Sequence, residues 1–400
     1  MRLPPPADSS GALPEPSVEA RAHSERVVQH IAKSIGEAGG WISFADYMGA
    51  ALYAPGIGYY ASGTRKFGPA GDFVTAPELT SLFGRALSAQ FAQVLGLIGG
   101  DVIELGPGTG RLAADVLGEL SGRDALPASY RLLEVSPELR ARQREHLATK
   151  VPNVASRVEW IEVLPERWRG VVIANEVLDA VPPHVIVRRE GTWYERGVEM
   201  DDHRLALVDR PLTNRALRDA ARSLFPGVGD YESEINPAAN ALVASLAQRC
   251  EAGALVLVDY GFPAGEYYHP QRSRGTLMAH YRHRALADPL FLPGLVDLTA
   301  HVNFTAIAHA GAGAGTSVAG FTTQAHFLVD CGILDLLTHV GDVQSVAYLR
   351  EASAVHKLLS PVEMGELFKV LMLTRGVDMS PLGFRTGDQR HRLEGFAAPR

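Results

Sequence analysis

Residues 101–110 read DVIELGPGTG, an apolar run that leads directly into three glycines spaced two apart. The run is typical of a short buried strand, and residues 110–120 have the spacing of a helix. Gly106 permits a tight turn, Gly108 lets a ligand approach the backbone, and Gly110 lets the helix pack against the strand. The stretch therefore predicts a strand, a ligand-binding loop and a helix.

The spacing of the glycines narrows the class of ligand. It is GxGxG, not the GxGxxG of a pyrophosphate site, and the Lys-Ser/Thr pair of a P-loop is absent from this stretch. Glu104, two positions before the first glycine, would repel a phosphate but suits a cation. We therefore expect S-adenosylmethionine as the cofactor, because its sulfonium and ammonium groups are positive, and we do not expect a nicotinamide dinucleotide.

Strands and helices alternate on both sides of this loop. Further strands are predicted at 130–135, 157–163, 170–175 and 254–261, and helices at about 78–95, from Ser136 onward and at 237–250. Such alternation is typical of a parallel sheet covered on both faces. Two late apolar runs, 316–323 and 367–376, predict a hairpin-like pair. The predicted fold class is α/β, a seven-stranded doubly wound sheet with its ligand at the carboxyl ends of the strands.

Composition divides the chain further. The proline-rich start predicts a disordered tail, polar alternation after His184 predicts antiparallel insertions, and the AGAGAG run at 310–315 predicts a flexible connection. The predicted domains are a tail (1–18), a helical and lid region (19–97), the sheet domain (98–376) with insertions at about 181–235 and 262–300, and a C-terminal tail (377–400).

Acidic residues end the strands that follow the glycine loop. Glu134 ends one, where a carboxylate can accept hydrogen bonds from both ribose hydroxyls, and Glu162 ends the next, near where an adenine would lie. Three acidic residues on successive strand ends, Glu104 included, favour a cofactor site over the alternative of surface-capping carboxylates. The predicted cofactor-binding residues are Thr75, Glu104, Gly106, Pro107, Gly108, Gly110, Glu134, Val135, Glu162, Asn175 and Glu176.

Five blocks of this sequence resemble one family. They are GDFVTAPELTSLFG (71–84), VIELGPGTGRL (102–112), LLEVSPELR (132–140), ANEVLDAVPPHVIV (174–187) and LVDYGFPAGEYYHPQRSRGTLMAHYRHR (257–284). These blocks are similar to the MidA family of class I methyltransferases, which includes the mitochondrial protein arginine methyltransferase that assists respiratory complex I assembly. The resemblance runs from about Trp41 to Arg375. It implies a class I methyltransferase (Rossmann-like) sheet, S-adenosylmethionine binding, and a protein substrate, with a complex I subunit among the candidates.

The block NEVLDAVPPH (175–184) follows the fourth strand, where class I enzymes place substrate-facing residues. An arginine acceptor needs carboxylates that hold its planar guanidinium. Glu176 and Asp179 are three apart and would share one face if this segment formed a helical turn, and Glu78 could complete the set. We predict these three as catalytic residues. The alternative for Asp179 is a structural cap before Pro182.

Two segments remain open in function. The loop 71–78 is either a lid over the cofactor or a plain connector. The block 267–284 interleaves arginines, histidines and tyrosines, so it is an RNA-stacking surface, a groove for an acidic peptide or a structural insertion. We predict no metal site, because the histidines lack the spacing of zinc ligands.

Charge and cysteine content limit the remaining classes. The formal charge is −7, from 38 basic and 45 acidic residues, which disfavours a nucleic-acid partner. Two cysteines fit a reducing compartment, no apolar run has the length of a membrane span, and we expect a cytoplasmic protein of the bacterial type. The predicted function is methylation of a protein side chain, arginine by resemblance. A non-catalytic cofactor-binding assembly factor, and methylation of a small molecule or RNA, remain as alternatives.

Overall fold

The computed structural model describes residues 13–61, 75–227 and 229–396. Residues 71–74 of the predicted lid, and 1–12 of the predicted tail, lie outside these ranges. Over the described residues the α-helices are α1 (Val18–Glu37), α2 (Phe44–Tyr53), α3 (Ala76–Leu79), α4 (Ser81–Ile98), α5 (Arg111–Gly122), α6 (Pro137–Lys150), α7 (Arg215–Leu224), α8 (Pro237–Arg249), α9 (Ala264–Tyr267), α10 (Phe304–Gly313), α11 (Gln324–Asp330), α12 (Ile333–Thr338), α13 (Val346–Leu359) and α14 (Met364–Leu367).

Seven of the strands coincide with the predicted apolar runs. They are β1 (Ile42–Ser43), β2 (Asp101–Leu105), β3 (Tyr130–Leu133), β4 (Val158–Ile161), β5 (Trp168–Asn175), β6 (His184–Arg189), β7 (Thr192–Asp201), β8 (Arg204–Pro211), β9 (Tyr231–Ile235), β10 (Cys250–Phe262), β11 (Met278–Tyr281), β12 (Arg284–Leu286), β13 (Asp297–Thr299), β14 (Val302–Asn303), β15 (Ser317–Thr323) and β16 (Phe368–Arg375). None of the described helices is both long enough and apolar enough to cross a bilayer.

The central sheet has the strand order β15-β16-β10-β5-β2-β3-β4, and β14 pairs with the end of β10. The strands from β10 to β4 are parallel, whereas β16 runs antiparallel to both β10 and β15. The predicted seven-stranded α/β sheet with a late antiparallel pair is confirmed. The chain order reverses between β2 and β5, which is where a doubly wound sheet binds its ligand.

The protein consists of two compact units, each made of segments that pack mainly with one another. The sheet unit comprises Thr75–Asp179, Ala239–Tyr267 and the described part of His301–Arg400. Its core packs helices α4, α5 and α11 with the sheet through apolar side chains that are almost fully buried, including Phe91, Leu117, Ile173, Val256 and Phe327. Strands β5 and β10 are buried along most of their length, which explains their continuous apolar sequences.

The insertion unit comprises the described residues of Met1–Val74, Ala180–Ala238 and Tyr268–Ala300. Strands β6, β7, β8 and β9 form an antiparallel sheet there, as the polar alternation predicts, and β11 pairs with β12 and β13. Helix α2 begins with a capping box, in which Ser43 and Asp46 exchange hydrogen bonds. Val27, Ile31 and Tyr47 lie in the core of this unit.

Two sequence-based boundaries differ from the structure. The helix predicted at 78–95 is two helices, because Thr80 is extended and its hydroxyl caps the N–H of Leu82. The flexible connection predicted at 310–315 is wrong for its first four residues, since α10 continues to Gly313. A Cβ on Gly311 would lie 2.4 Å from Leu373 Cδ1, so this glycine permits close packing of the helix on β16.

Candidate functional site

The glycine loop leaves the carboxyl end of β2 and enters α5. Gly106, Gly108 and Gly110 have φ angles of +61°, +51° and +80°, in the left-handed region that favours glycine. The N–H of Gly110 donates to the carbonyl of Pro107 at 2.8 Å and closes the turn. A Cβ on Gly106 would lie 3.0 Å from Val177 Cγ2. The loop therefore carries no side chain at Gly106, Gly108 and Gly110, which suits close approach of a ligand to the backbone there.

Glu104 lies in β2 just before this loop, and its side chain is buried. Its Oε2 accepts a 2.7 Å hydrogen bond from the hydroxyl of Tyr130. Burial raises the pKa of Glu104 to about 7, although the bond from Tyr130 opposes this shift. Because the pKa of this carboxyl group lies near neutral pH, a nearby positive charge would shift it toward its ionised form.

Glu134 follows the last residue of β3 and is also buried. Its Oε1 accepts the N–H of Ser136 at 2.8 Å, and its Oε2 accepts the side-chain amide of Gln143 at 3.2 Å. A carboxylate has about four acceptor positions. Lone pairs therefore remain on Glu134 for further donors such as the hydroxyls of a ribose, and its contact with a ribose stays a prediction.

Gln143, in α6, is a site residue that the sequence analysis missed. Besides Glu134, its Nε2 contacts the carbonyl of Gly108 at 2.8 Å, and its Oε1 accepts the indole N–H of Trp160 at 2.8 Å. The only sequence signal is its position four residues before Leu147 on the inward face of α6. That signal is too common to mark a functional residue by itself.

Glu162 and Val135 occupy the more open side of the site. Both side chains are exposed, and Glu162 forms a 3.1 Å ion pair with Arg140. Arg140 also donates to the backbone carbonyl of Glu134 at 2.7 Å through Nε. This arginine therefore ties together the ends of β3 and β4, where the two predicted carboxylates lie.

Glu78 and Thr75 lie at the short helix α3, upstream of the glycine loop in the chain. Thr75 is the N-cap residue of α3. The Glu78 carboxylate accepts hydrogen bonds from the hydroxyl of Thr109 and from Arg111 Nη1, the latter at 2.8 Å. Because Arg111 begins α5, Glu78 fastens α3 to the glycine loop and to the helix that follows it.

Asn175 and Glu176 stand at the carboxyl end of β5. Asn175 Nδ2 donates to Glu176 Oε1 at 3.0 Å, and the N–H of Glu176 donates to the carbonyl of Val258 at 2.9 Å. Glu176 has a φ of +53°, which is uncommon for a residue other than glycine. Such conformations cluster at functional sites, where the surrounding structure holds them in place.

Asp259 is the second residue that the sequence analysis missed. Its Oδ2 accepts the backbone N–H groups of Leu178 and Asp179, at 2.9 and 3.2 Å. Burial, together with the charges of Asp179 and then Glu176, raises the pKa of Asp259 well above its usual range. The available signal was an acidic residue near the end of a predicted strand, the same signal that identified Glu134.

The strand order brings these groups to one edge of the sheet. From β10 to β4, the carboxyl ends carry Asp259, then Asn175 and Glu176, then Glu104 with the glycine loop, then Glu134, then Glu162. On one side of the glycine loop, β3 and β4 end at acidic groups suited to a ribose and an adenine. On the other side, β10 and β5 carry Asp259 and Glu176, and Asp179 follows β5 in the chain. These carboxylates suit a cationic acceptor.

Comparison with known proteins identifies relatives of this chain. Residues 86–322 match a family described as S-adenosyl-L-methionine-dependent methyltransferases. The protein named protein arginine methyltransferase NDUFAF7, mitochondrial, from Danio rerio is 29% identical over 376 residues, covering 86% of each chain. The protein of the same name from Mus musculus is 30% identical over 373 residues, covering 84% of this chain and 81% of the relative.

Solved structures also match over nearly the full length. The crystal structure of a Burkholderia thailandensis protein bound to S-adenosyl-homocysteine is 45% identical, with a TM-score of 0.91, and the match covers 95% of this chain and 100% of that one. A native crystal structure from Burkholderia thailandensis matches with the same identity and coverage and a TM-score of 0.89. The compound in the first structure is what remains of S-adenosylmethionine after its methyl group has left.

Proposed function

This chain belongs to the MidA family of class I S-adenosylmethionine-dependent methyltransferases, and from that premise we propose that it methylates an arginine side chain in a protein. The names of its vertebrate relatives support arginine as the acceptor. The observation that carries the proposal is the group of three carboxylates, Glu176, Asp179 and Asp259, at the ends of β5 and β10.

The chemistry of a guanidinium explains why carboxylates are needed. The group keeps its proton at any physiological pH and presents planar N–H donors that match carboxylate oxygens. Bound S-adenosylmethionine supplies a methyl group from its positive sulfur, and the sulfur keeps the electron pair of the C–S bond when that bond breaks. The acceptor nitrogen forms the new N–C bond and loses a proton. We assign Glu176 and Asp179 to hold the guanidinium and to receive that proton.

The cofactor is S-adenosylmethionine, and we propose that it binds along the edge from β2 to β4. Glu104 would face its ammonium group, the backbone of Gly106, Pro107, Gly108 and Gly110 would line its methionyl part, and Glu134 would accept its ribose hydroxyls. Val135 and Glu162 would flank the adenine. Thr75 and Asn175 would border the methionyl part on its two sides. The left-handed glycines and the remaining lone pairs of Glu134 support this assignment.

We propose that Glu78 contributes to the reaction indirectly, by holding the glycine loop in position. Its carboxylate contacts Arg111 and Thr109, so it keeps the glycine loop in place while Glu176 and Asp179 face the acceptor. A respiratory complex I subunit as the substrate and a cytoplasmic location both stay predictions.

Transfer of labelled methyl groups tests the proposal. The protein is incubated with tritiated S-adenosylmethionine and a lysate of its host, and the protein fraction is hydrolysed to amino acids. We expect label in methylated arginine, and roughly a hundredfold less of it with the Glu176→Gln variant. Label confined to RNA or to small molecules would instead favour those acceptors. Tight cofactor binding without any transfer would favour the assembly-factor alternative.

A further inference from the structure

We infer that Gln143 is the positioning residue of the cofactor site, holding the Gly108 carbonyl and the Glu134 carboxylate in the arrangement that binds the cofactor. The inference rests on the proposed placement of S-adenosylmethionine at the glycine loop. It concerns a residue of α6 that reaches between the loop, the end of β3 and Trp160 of β4.

The side-chain amide of Gln143 is fully buried, and both its nitrogen and its oxygen have hydrogen-bond partners. Its two N–H groups have two acceptors, the Gly108 carbonyl at 2.8 Å and Glu134 Oε2 at 3.2 Å. Its oxygen has one donor, the indole N–H of Trp160 at 2.8 Å. A glutamine amide offers two donor hydrogens and one acceptor oxygen, so each group of Gln143 has a partner.

These partners also fix which way the amide points. The indole nitrogen of Trp160 can only donate, so it must face the amide oxygen. The Gly108 carbonyl and the Glu134 carboxylate can only accept, so they must face the amide nitrogen. Rotating the amide by half a turn would set oxygen against oxygen at two contacts. Trp160 therefore determines the orientation of Gln143, and Gln143 transmits it to the glycine loop.

Packing alone does not account for a glutamine here. The other buried residue of α6 is Leu147, and a buried amide is costly unless its hydrogen bonds are made. The glycine loop also rests directly on this side chain, because a Cβ on Gly110 would lie 3.3 Å from Gln143 Cγ. The amide thus links two parts of the site that bear on different parts of the cofactor.

The decisive variant is Gln143→Glu, which keeps the volume but replaces the donor nitrogen with an acceptor. We expect the Kd for S-adenosylhomocysteine, measured by calorimetry, to rise about tenfold or more, as for loss of hydrogen bonds to a charged group. Gln248→Glu makes the same change on the exposed face of α8 and should leave Kd unchanged. The melting temperature without ligand serves as the measure of folding.

Trp160→Phe is the second variant. It removes the N–H that orients the amide while keeping an aromatic ring, so we expect a smaller rise in Kd, roughly threefold, with the fold retained. A folded Gln143→Glu protein that binds within twofold of the wild type would overturn the inference. If Gln143→Glu fails to fold, an unchanged Kd in Trp160→Phe overturns it.

Glu134→Ala separates this inference from the placement of the cofactor. If Glu134→Ala weakens binding and Gln143→Glu does not, only the role of Gln143 is refuted. If neither variant affects binding, the cofactor does not lie at this loop, and both the placement and the inference are refuted.

Discussion

The hydroxyl of Tyr130 donates a 2.7 Å hydrogen bond to Oε2 of Glu104, across the neighbouring strands β3 and β2. Both side chains are buried. Burial raises the pKa of Glu104 to about 7 and the pKa of the Tyr130 phenol well above its usual value. The phenol therefore stays protonated and remains a donor, whereas the carboxyl group of Glu104 gains or loses its proton near neutral pH.

The first prediction is that cofactor binding is linked to the ionisation of Glu104. A cation placed beside this carboxyl group favours its charged form, so binding should release a proton near pH 7. We expect the affinity for S-adenosylmethionine to increase from pH 6 to pH 7.5 in the wild type and to change less in Glu104→Gln. Calorimetry in buffers of different ionisation enthalpy measures the protons released. Equal proton release by the two proteins would contradict the proposed contact.

The second prediction concerns stability without ligand. The pKa of Glu104 is about 7 in the folded protein against an ordinary 4.5, so between these values the folded state binds more protons than the unfolded state. The free energy of unfolding should therefore fall as pH rises through this window. The Glu104→Gln variant should lose the part of this pH dependence that Glu104 contributes. Asp115, whose pKa burial also raises to about 7, supplies a slope of the same sign that remains in the variant. Identical slopes in urea titrations of both proteins would count against a perturbed Glu104.

The third prediction concerns the ribose contact. Glu134→Ala removes a buried carboxylate that we propose accepts both ribose hydroxyls, which should weaken S-adenosylmethionine binding by about 1.5 to 3 kcal/mol, roughly ten- to hundredfold. Glu162→Ala removes an exposed carboxylate paired with Arg140 and should weaken S-adenosylmethionine binding less than Glu134→Ala does. Calorimetry on the two variants shows which of them loses more affinity for S-adenosylmethionine. A larger loss in Glu162→Ala would move the ribose away from Glu134.

The glycine loop and the sheet were predictable from sequence because their signals are local. Apolar runs mark buried strands, and the spacing of Gly106, Gly108 and Gly110 marks the turn between a strand and a helix. Gln143 carries no such signal, and Asp259 carries only its place near the end of a predicted strand, since the contacts that bring each residue into the site reach across long stretches of the chain. Gln143 bonds Gly108 from 35 residues away, and Asp259 bonds Asp179 from 80 residues away. Those pairings depend on strand order, which is a property of the folded chain.

For the run AGAGAG at 310–315, a local signal was present but the prediction drawn from it was wrong. Its composition predicts flexibility, yet α10 includes Gly311 because the helix packs closely on Leu373 of β16. Tertiary packing thus overrides the low helix propensity of glycine, which costs about 1 kcal/mol relative to alanine.

The fourth prediction uses the backbone of Glu176. A left-handed φ costs a residue with a side chain about 1 to 2 kcal/mol, which glycine does not pay. Glu176→Gly should therefore be at least as stable as the wild type, with near-normal cofactor binding, while methyl transfer falls by roughly a hundredfold because the acceptor loses a positioning contact. Asp124→Gly is the matched control, since Asp124 also has a positive φ, of 54°, and is exposed. It should gain similar stability and keep full activity. Full activity in Glu176→Gly would return this residue to a structural role.

The fifth prediction separates two roles of Asp179. If its carboxylate only caps a turn, Asp179→Asn should lower the melting temperature and leave transfer per folded molecule unchanged. The structure favours the opposite result, because the charge of Asp179 raises the pKa of the buried Asp259, which already accepts the N–H groups of residues 178 and 179. Removing the charge of Asp179 takes away its repulsion with ionised Asp259, so the melting temperature should rise at pH values where Asp259 has lost its proton.

That gain should shrink as pH falls, since the repulsion between Asp179 and Asp259 requires both carboxylates to be ionised. Methyl transfer should fall at the same time, because the proposed arginine acceptor would lose one of its proposed acidic partners. Thermal unfolding from pH 5 to pH 8, beside transfer assays on the same protein, measures both effects. Asp259→Asn provides the contrast: a single amide oxygen cannot replace both carboxylate oxygens that now accept backbone N–H groups, so that variant should lose stability and transfer together. Loss of stability in Asp179→Asn with transfer intact would make Asp179 a cap, and would leave Glu176 and Asp259 to face the acceptor.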